Sequence, residues 1–397
     1  MRVLMVCHSG KIGGAEVALA EIVGSLPFHC EVVIMGTGPL VAELSDRGVT
    51  VHHMKASRLV TGSAYEVRFI GRLLGCLTYG ALVARILRRL RGFTCIYVNS
   101  HNVLAPCGIA SLISRKPLVW HQHIVVDANS SMALSLRDKL SRWLLVKMGN
   151  LFASRVICVS ASAREAYIRS GGNVNKAVIV RNGVSPIGRT CGTDFDAYAL
   201  RHELGVADVP LVGVFGRLQK RKGQDLAIRM LAGLESAHCL LVGGAAFSDP
   251  HFVEELRKLA ESLGVSRRVH FLGHRDDVPI LMAITDVVLQ PQREPESFGL
   301  VTVEAMVAGK PVVATRLGGS EEILEHNVTG LLVEPGDISA MTDAVKSLLG
   351  DKMLRESIAE RAQHIALERY SVDRWSDEIA DELRDMVLSS ARWRSQK

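Results

Sequence analysis

Residues 291–313 read PQREPESFGLVTVEAMVAGKPVV, and this stretch decides how the chain is interpreted. A strand is predicted to end just before it, a polar loop follows, and a helix is predicted to begin at Phe298–Gly299. Glu296 lies immediately before that helix, and Glu304 lies about two turns further along the chain. Seven residues separate the two carboxylates.

The start of this helix is a predicted anion-binding site. The first backbone amides of a helix have no intrahelical acceptor, and here they belong to Phe298, Gly299 and Leu300. Gly299 also allows a phosphate to approach the backbone closely. Glu304 is placed to accept hydrogen bonds from ribose hydroxyls and Glu296 from sugar hydroxyls, so the pattern suits a nucleotide sugar. Two glutamates at this spacing alone are usually surface residues, so the surrounding sequence has to support the interpretation.

Short β-branched runs alternate with helical segments, such as Ala15–Leu26, along the rest of the chain. Because the strand-like runs are apolar almost throughout, they are predicted to lie in parallel sheets covered on both faces. They fall into two sets of six, each the size of one doubly wound domain. The predicted strands are 2–7, 30–35, 95–98, 117–121, 155–159 and 177–180, then 210–215, 238–242, 268–271, 286–289, 311–314 and 331–333.

A chain of 397 residues is long enough for two domains of ordinary size. Proline, glycine and polar residues interrupt the periodicity at 184–208, where a linker is expected. We therefore predict an α/β fold of two doubly wound, Rossmann-like domains. The predicted boundaries are 1–185 for the first domain, 186–208 for the linker, 209–369 for the second domain and 370–397 for a C-terminal helix.

The composition is that of a soluble globular enzyme, with 48% hydrophobic and 22% charged residues. The strand-like run Arg2–Cys7 begins at once, which predicts a cytoplasmic protein. The eight cysteines are scattered without metal-binding or disulfide spacing, as in a reducing compartment.

The net charge of +6 is unevenly distributed. Residues 1–190 carry 23 Lys and Arg against 9 Asp and Glu, a balance of +14, whereas the remainder carries 24 against 32. The apolar run 73–84 is too short to cross a bilayer and continues into several arginines before residue 92. This segment is either an ordinary domain helix with a solvated face or a basic amphipathic helix that docks on an anionic membrane.

The pair Glu296 and Glu304 resembles the Glu-x7-Glu signature of the family-4 retaining glycosyltransferases, a GT-B group often described as glycosyl transferases group 1. The resemblance covers most of the chain in the expected order. The other matching motifs are Gly13-Gly14-Ala15-Glu16, Gly216-Arg217-Leu218 with Lys222-Gly223, Leu241-Val242-Gly243-Gly244, Phe271-Leu272-Gly273, Gly318-Gly319-Ser320-Glu321-Glu322 and Gly330-Leu331-Leu332-Val333.

The resemblance implies transfer of a sugar, with retention, from a nucleotide-diphosphate sugar to an acceptor hydroxyl in envelope polysaccharide, lipid-linked glycan or glycoconjugate synthesis. It implies two domains facing across a cleft, a donor site in the second domain and a last helix that crosses back to the first. The implied catalytic residues are Arg217, Lys222, Glu296 and His123. The implied donor-binding residues are Gly13, Gly14, Gly216, Phe271, Leu272, Phe298, Gly299, Leu300 and Glu304.

No metal and no other cofactor is expected. The only Asp-x-Asp triplet, Asp194-Phe195-Asp196, lies in the predicted linker and is interpreted as a turn. Arg217 and Lys222 can neutralise a departing diphosphate instead, Arg217 as a bidentate fork and Lys222 as a point charge. The alternative is that Arg217 and Lys222 belong to a solvated basic loop without a role in catalysis.

Three questions stay open at this level. His121 precedes His123 by two residues and shares its strand face, so either can be the histidine of the cleft. The acceptor is either lipid-linked or otherwise anionic, or a small natural product, and UDP-sugars precede GDP-mannose as candidate donors. A non-catalytic GT-B module is a rival function, whereas a nicotinamide enzyme is disfavoured because the G-x-G-x-x-G spacing is absent. A nucleic-acid partner is not expected.

Overall fold

The computed structural model of this protein describes residues 1–54, 92–127, 136–185, 196–245 and 251–395, together with positions 81, 83, 84 and 86–88. The chain forms two compact units. Unit 1 is Met1–Gly183 with Val372–Lys397, and unit 2 is Val184–Ser371. Two doubly wound α/β domains are predicted from the sequence, and this fold class is confirmed.

Unit 1 is built on a parallel sheet that has seven strands within the described residues. These are β1 (Arg2–Cys7), β2 (His29–Met35), β3 (Thr50–Met54), β4 (Cys95–Val98), β5 (Leu118–Gln122), β6 (Arg155–Cys158) and β7 (Ala177–Ile179). Their order is β3-β2-β1-β4-β5-β6-β7. The central strand β1 is buried from Val3 to Cys7, because helices cover both faces of a parallel sheet.

In the continuously described ranges of this unit, the α-helices that precede β7 connect neighbouring strands. They are α1 (Gly14–Ser25), α2 (Pro39–Asp46), α3 (Leu104–Ser114), α4 (Leu136–Phe152) and α5 (Ala161–Arg169). Helix α1 buries Ala18, Leu19, Ile22 and Val23, which recur at helical spacing, against the sheet.

Over its described residues, unit 2 repeats the design with six strands in the order β10-β9-β8-β11-β12-β13. The strands are β8 (Leu211–Phe215), β9 (His238–Val242), β10 (Val269–Gly273), β11 (Val287–Gln290), β12 (Val312–Thr315) and β13 (Leu331–Val333). The helices are α6 (Ala197–Glu203), α7 (Gln224–Ala232), α8 (Phe252–Ser262), α9 (Val278–Ala283), α10 (Leu300–Val307), α11 (Gly319–Ile323), α12 (Ile338–Gly350) and α13 (Lys352–Arg369).

The last helix, α14 (Val372–Ser395), belongs to unit 1. Its residues Trp375, Ile379 and Leu383 are fully buried in the same core cluster as α1 and β1. The Ser376 hydroxyl donates to the Ser25 carbonyl at 2.8 Å. The C-terminus of the chain therefore completes the domain that the N-terminus begins.

Two parts of the sequence-based description differ from the structure. Strand β3 was not predicted because Thr50–Met54 is a partly exposed edge strand that contains His52 and His53 in place of an apolar run. The predicted linker 186–208 contains helix α6, and the Asp196 carboxylate caps this helix by accepting from the amides of Tyr198 and Ala199. Residues 186–195, with the rest of the Asp-x-Asp triplet, lie outside the described residues.

The predicted amphipathic segment 73–91 falls mostly outside the described residues. At the positions that are described, Val83 and Leu87 are buried and Arg88 is exposed. None of the helices in the described ranges is both long enough and apolar enough to cross a bilayer.

Candidate active site

The strand order of unit 2 reverses between β8 and β11, which are neighbours in the sheet. In open parallel sheets, ligands bind beyond the carboxyl ends of the strands at such a switch point. Gly216 follows β8 directly, and the 291–300 segment follows β11 directly. The topology therefore brings together two motifs that are far apart in the sequence.

The loop after β8 is held at its start by backbone contacts. Gly216 has φ +121, which glycine adopts without strain. Its amide donates to the Val242 carbonyl at 2.9 Å, and the amide of Leu218 donates to the Gly244 carbonyl at 3.0 Å. The loop ends in a 3-10 turn, Lys220–Lys222, so its basic side chains extend from a fixed backbone.

Gly223 brings this basic loop against the segment after β11. It has φ +70, and a Cβ at this position would lie 1.8 Å from the Pro291 carbonyl oxygen. The amide of Arg293 donates to the Arg221 carbonyl at 2.9 Å. Only glycine allows this close approach, which places the two loops side by side.

Lys222 and Glu296 meet between these loops. The ammonium forms an ion pair with the carboxylate, and each side chain is 12% exposed. In the sequence-based interpretation the lysine contacts a phosphate and the glutamate a sugar hydroxyl, whereas here they neutralise each other. Glu304, half-buried on α10, also favours the charged form of Lys222. One ammonium and two carboxylates therefore share the site.

Burial lowers the pKa of Lys222 from 10.5 to about 7, and the positive charges of Arg221 and Arg217 act in the same direction. Glu304 raises this pKa, and the adjacent carboxylate of Glu296 also favours the ammonium. A diphosphate carries more negative charge than either carboxylate. It would therefore compete with Glu296 for Lys222 and hold the lysine in its charged form.

Helix α10 begins at Leu300, directly after the predicted start at Phe298–Gly299, and Gly299 before it has φ +104. In the described part of the chain, the amides of Phe298, Gly299 and Leu300 donate to no protein acceptor. The turn before α10 is held by α11, where a Cβ on Gly319 would lie 1.6 Å from the Phe298 carbonyl oxygen. The helix start thus keeps the geometry of an anion site.

Unit 1 carries a second set of polar residues at its own switch point, between β1 and β4. His8 follows β1 directly, and Asn99 and Ser100 follow β4. The Ser100 hydroxyl lies 2.6 Å from His8 Nδ1. These residues occupy the position at which an open α/β sheet places a ligand.

His123 is connected to this set through Asn99. Its Nε2 lies 3.0 Å from Asn99 Oδ1, and Asn99 Nδ2 donates to the Ala15 carbonyl at 2.7 Å. Gly13 precedes α1 as its N-cap, and Gly14 is the first residue of the helix. The structure therefore links His123 to the predicted Gly13–Gly14 turn.

The structure distinguishes His121 from His123. His121 is 1% exposed, and the Tyr97 hydroxyl lies 2.5 Å from its Nδ1. His123 is half-buried, with its ring centroid 4.0 Å from that of His121. Burial lowers the pKa of His123 to about 3 and that of His121 below its usual value, so both rings are neutral at pH 7. His123 is the one of the two that lies nearer the solvent, whereas His121 packs in the core.

One group of potential metal ligands occurs among the described residues: Cys7, His8 and Glu16 have ligating atoms within 4.8 Å of one another. Burial, with a contribution from Glu16, raises the pKa of the Cys7 thiol to about 12. The protonated thiol lies 3.7 Å from a Glu16 carboxylate oxygen. This pairing gives the buried carboxylate a donor at the start of α1.

Two family models match the chain. Glycosyltransferase Family 4 matches residues 12–186, and Glycosyl transferases group 1 matches residues 199–365. The crystal structure of Anabaena HepE in complex with UDP and glucose is 33% identical in sequence, with a TM-score of 0.85. That match covers 97% of this chain and 100% of HepE. This chain belongs to the family-4 glycosyltransferases of the GT-B fold. The resemblance inferred from its motifs is thereby confirmed.

Curated relatives of this family-4 member match over shorter segments. D-inositol 3-phosphate glycosyltransferase of Corynebacterium urealyticum is 34% identical over 243 residues, which cover 58% of this chain and 57% of the relative. A GDP-mannose-dependent alpha-(1-6)-phosphatidylinositol monomannoside mannosyltransferase of Mycobacterium tuberculosis is 32% identical over 197 residues, covering 47% of this chain and 50% of the relative. The chain thus matches about half the length of these two relatives.

Other predicted site residues of this family-4 chain differ in their surroundings. Arg217, predicted to be catalytic, is exposed on the loop after β8. The Phe271 ring packs against the core, with the Arg257 guanidinium of α8 4.4 Å from its centroid. Leu272 is half-buried at the irregular end of β10. The structure therefore gives the Phe271 ring a packing role, and its predicted donor contact stays a prediction.

Asn99, His8 and Ser100 were missed in the sequence because they lie in no glycine-rich or carboxylate motif. A usable signal existed, since His8 follows directly on the buried strand β1, Asn99 follows directly on β4, and Ser100 is the next residue. Polar residues immediately after the central strands of a doubly wound sheet face its ligand-binding edge. This rule identifies all three without reference to any family.

Proposed function

We propose that this chain transfers a glycosyl unit from a nucleoside-diphosphate sugar to an acceptor hydroxyl, with retention at the anomeric carbon and without a bound metal ion. One observation carries the proposal. At the switch point of unit 2 the Lys222 ammonium pairs with Glu296 and is favoured by the charge of Glu304, and the amides of residues 298–300 follow Glu296 at the start of α10.

The main requirement of this reaction is positive charge beside the leaving diphosphate, and no nucleophile from the protein is needed. The bond between the anomeric carbon and the diphosphate oxygen breaks, and negative charge develops on the leaving diphosphate. Lys222, Arg217 and the helix amides would stabilise this charge in a site prepared for it. The acceptor oxygen attacks from the same face, and its proton passes to the leaving phosphate. Glu296 and Glu304 would orient the sugar and the ribose through their hydroxyls.

A UDP-sugar is the first candidate donor, because HepE was solved in complexes with UDP and with UDP-glucose. GDP-mannose is the second, because the Mycobacterium tuberculosis relative is named for it. A thermal-shift screen tests both with the purified chain. A ligand at about 100 times its Kd adds about 2.7 kcal/mol to the free energy of unfolding. A shift with NADH and none with any nucleotide sugar would overturn the proposal.

Transfer should continue in the presence of excess chelator. Arg217 and Lys222 would supply the positive charge that a divalent ion provides in enzymes with a metal-bound diphosphate. The measurement is nucleotide release from the donor, with acceptor, before and after treatment with EDTA. Loss of activity with EDTA that Mg²⁺ or Mn²⁺ restores would contradict the metal-independent mechanism.

Donor binding should weaken as pH rises above 7. Burial lowers the pKa of Lys222 to about 7, so above that pH the unliganded protein loses the lysine proton. A bound diphosphate favours the ammonium, so binding must take the proton up again. The Kd of UDP should therefore rise by up to about tenfold per pH unit until the solution pKa of lysine is approached.

Calorimetry in buffers of different ionisation enthalpy measures this proton uptake directly. The Lys222→Ala variant is the control, since it should bind more weakly and lose the uptake that wild type shows between about pH 7 and 9. A wild-type Kd that does not change over this range would mean that Lys222 keeps its proton without ligand.

The acceptor is proposed to be anionic or lipid-linked, with the chain attached peripherally to the cytoplasmic face of a membrane. The positive net charge of residues 1–190 supports both the anionic acceptor and the membrane attachment, because basic surfaces attract anionic ligands and lipids. The two curated relatives are named for an inositol phosphate acceptor and a phosphatidylinositol glycolipid acceptor.

A further inference from the structure

Three side chains that can bind a metal converge at the carboxyl end of β1. Cys7 is the last residue of the strand, His8 follows it, and Glu16 lies in the first turn of α1. The Cys7 Sγ lies 3.7 Å from a Glu16 carboxylate oxygen, and the same oxygen lies 3.8 Å from His8 Nδ1. All three ligating atoms are within 4.8 Å of one another. We call these residues the β1–α1 cluster.

The separations in the β1–α1 cluster suit a single small cation. Zinc binds sulfur at about 2.3 Å and imidazole nitrogen or carboxylate oxygen at about 2.0–2.2 Å, with tetrahedral geometry. From these bond lengths, two ligand atoms of one zinc ion are about 3.3–3.6 Å apart. The two measured separations exceed this range by less than about 0.5 Å, so small movements of the side chains would complete the coordination.

The ligand types indicate the class of ion. A thiol, an imidazole and a carboxylate together suit a transition metal such as Zn²⁺, whereas Mg²⁺ and Ca²⁺ take oxygen ligands. Metal binding would release the thiol proton that burial otherwise holds on Cys7. The thiolate and the Glu16 carboxylate would then balance the two charges of the ion, so the buried site would carry no net charge.

Burial separates this cluster from chance groupings of acidic residues at a surface. Cys7 is fully buried and Glu16 is 7% exposed, whereas the His8 side chain is 23% exposed. Solvent therefore reaches the cluster at His8, which gives the ion an entry path and supplies water for the fourth ligand position. The Ser100 hydroxyl, 2.6 Å from His8 Nδ1, would turn away because the ion takes the same nitrogen lone pair.

We propose that the β1–α1 cluster binds Zn²⁺ or a chemically similar ion through Cys7 Sγ, His8 Nδ1 and a Glu16 carboxylate oxygen. The ion would fasten the end of β1 to the start of α1 and so fix both ends of the glycine-rich loop between them. This site belongs to unit 1, whereas Lys222 and Arg217 belong to unit 2. The inference therefore goes beyond the proposed function, in which those two residues and no metal neutralise the diphosphate.

Metal binding by the full chain, prepared without an affinity tag and stripped with EDTA, tests the proposal. Wild type should take up one Zn²⁺ per chain in competition with a chromophoric chelator. Co²⁺ in its place should give the near-ultraviolet charge-transfer absorption of a thiolate–cobalt bond. Cys7→Ser should lose this absorption and bind Zn²⁺ at least about a hundredfold more weakly, since even the residues that surround metal ligands contribute up to about a hundredfold.

Two further variants complete the experiment. Glu16→Gln removes the anionic ligand with little change of shape, so it should also weaken Zn²⁺ binding, and it decides the question if Cys7→Ser does not fold. Cys30→Ser is the matched control, because it changes a half-buried cysteine of β2 outside the cluster. This control should bind both ions like wild type. Circular dichroism establishes whether each variant is folded.

A folded Cys7→Ser variant that binds Zn²⁺ like wild type, or loss of the cobalt absorption in Cys30→Ser, would place the ion elsewhere and overturn the proposal. A wild-type chain that takes no Zn²⁺ from the chelator would overturn it as well. Transfer is judged separately by nucleotide release. Activity that is lost with EDTA and restored by Mg²⁺ would contradict the metal-independent mechanism and leave the cluster standing, because Mg²⁺ prefers oxygen ligands.

Discussion

Replacing Lys222 by alanine should lower glycosyl transfer by at least about a hundredfold, because one preorganised donor to the developing charge is lost. The effect should appear mainly in kcat, since negative charge on the diphosphate is greatest in the transition state. Nucleotide release by the purified variant measures it. Because Glu296 loses its cation, some loss of stability should accompany the substitution. Circular dichroism establishes whether the variant is folded.

Two further variants show whether the loss of transfer comes from the site itself or from any change of charge near it. Lys220→Ala changes a lysine of the same turn that is 61% exposed and paired with Glu255, so it should transfer like wild type. Glu304→Ala leaves the Lys222–Glu296 pair in place and should still remove transfer, because the predicted ribose contact is lost. A folded Lys222→Ala enzyme with near-normal turnover would contradict the site assignment.

Replacing Gly223 by alanine should both destabilise unit 2 and abolish donor binding. The new Cβ would lie 1.8 Å from the Pro291 carbonyl oxygen, so the segment that carries Glu296 must move. The φ of +70 adds about 1 kcal/mol, the usual cost of a left-handed conformation for alanine. The measurements are the free energy of unfolding in urea and the Kd of UDP.

Gly264→Ala is the matched control for this substitution. Gly264 has nearly the same backbone conformation, φ +68, but no atom lies within 4 Å of the position of its added Cβ. It should therefore show the conformational cost alone and bind UDP normally. Equal destabilisation by the two substitutions, with donor binding kept in both, would mean that the approach to Pro291 has no role in shaping the site.

Much of the fold could be predicted from local pattern. Strands such as Arg2–Cys7 and Leu211–Phe215 are continuous apolar runs because both faces of their sheets are covered, and such runs are visible in the sequence. Thr50–Met54 was missed because an edge strand does not need that pattern. Helix α6 was missed because its seven residues bury none of their side chains, so no apolar periodicity marks it.

The site was predictable in part, and the limits have physical causes. The glycine-rich turns and the two glutamates are local features, so their positions could be read directly. The pairing of Lys222 with Glu296 joins residues 74 positions apart and exists only because β8 and β11 are neighbours in the sheet. The choice between His121 and His123 depends on which side chain is more buried at the end of β5. The sequence does not show this, because both residues lie on the same face of the strand.

A crystal structure of this chain with a bound UDP-sugar tests the donor-site assignment most directly. The diphosphate should contact the Lys222 ammonium, the Arg217 guanidinium and the amides of residues 298–300. Glu296, released from Lys222, should accept from a sugar hydroxyl, and Glu304 should accept from the ribose. A nucleotide bound away from the β8–β11 edge, with the Lys222–Glu296 pair still intact beside it, would contradict the assignment.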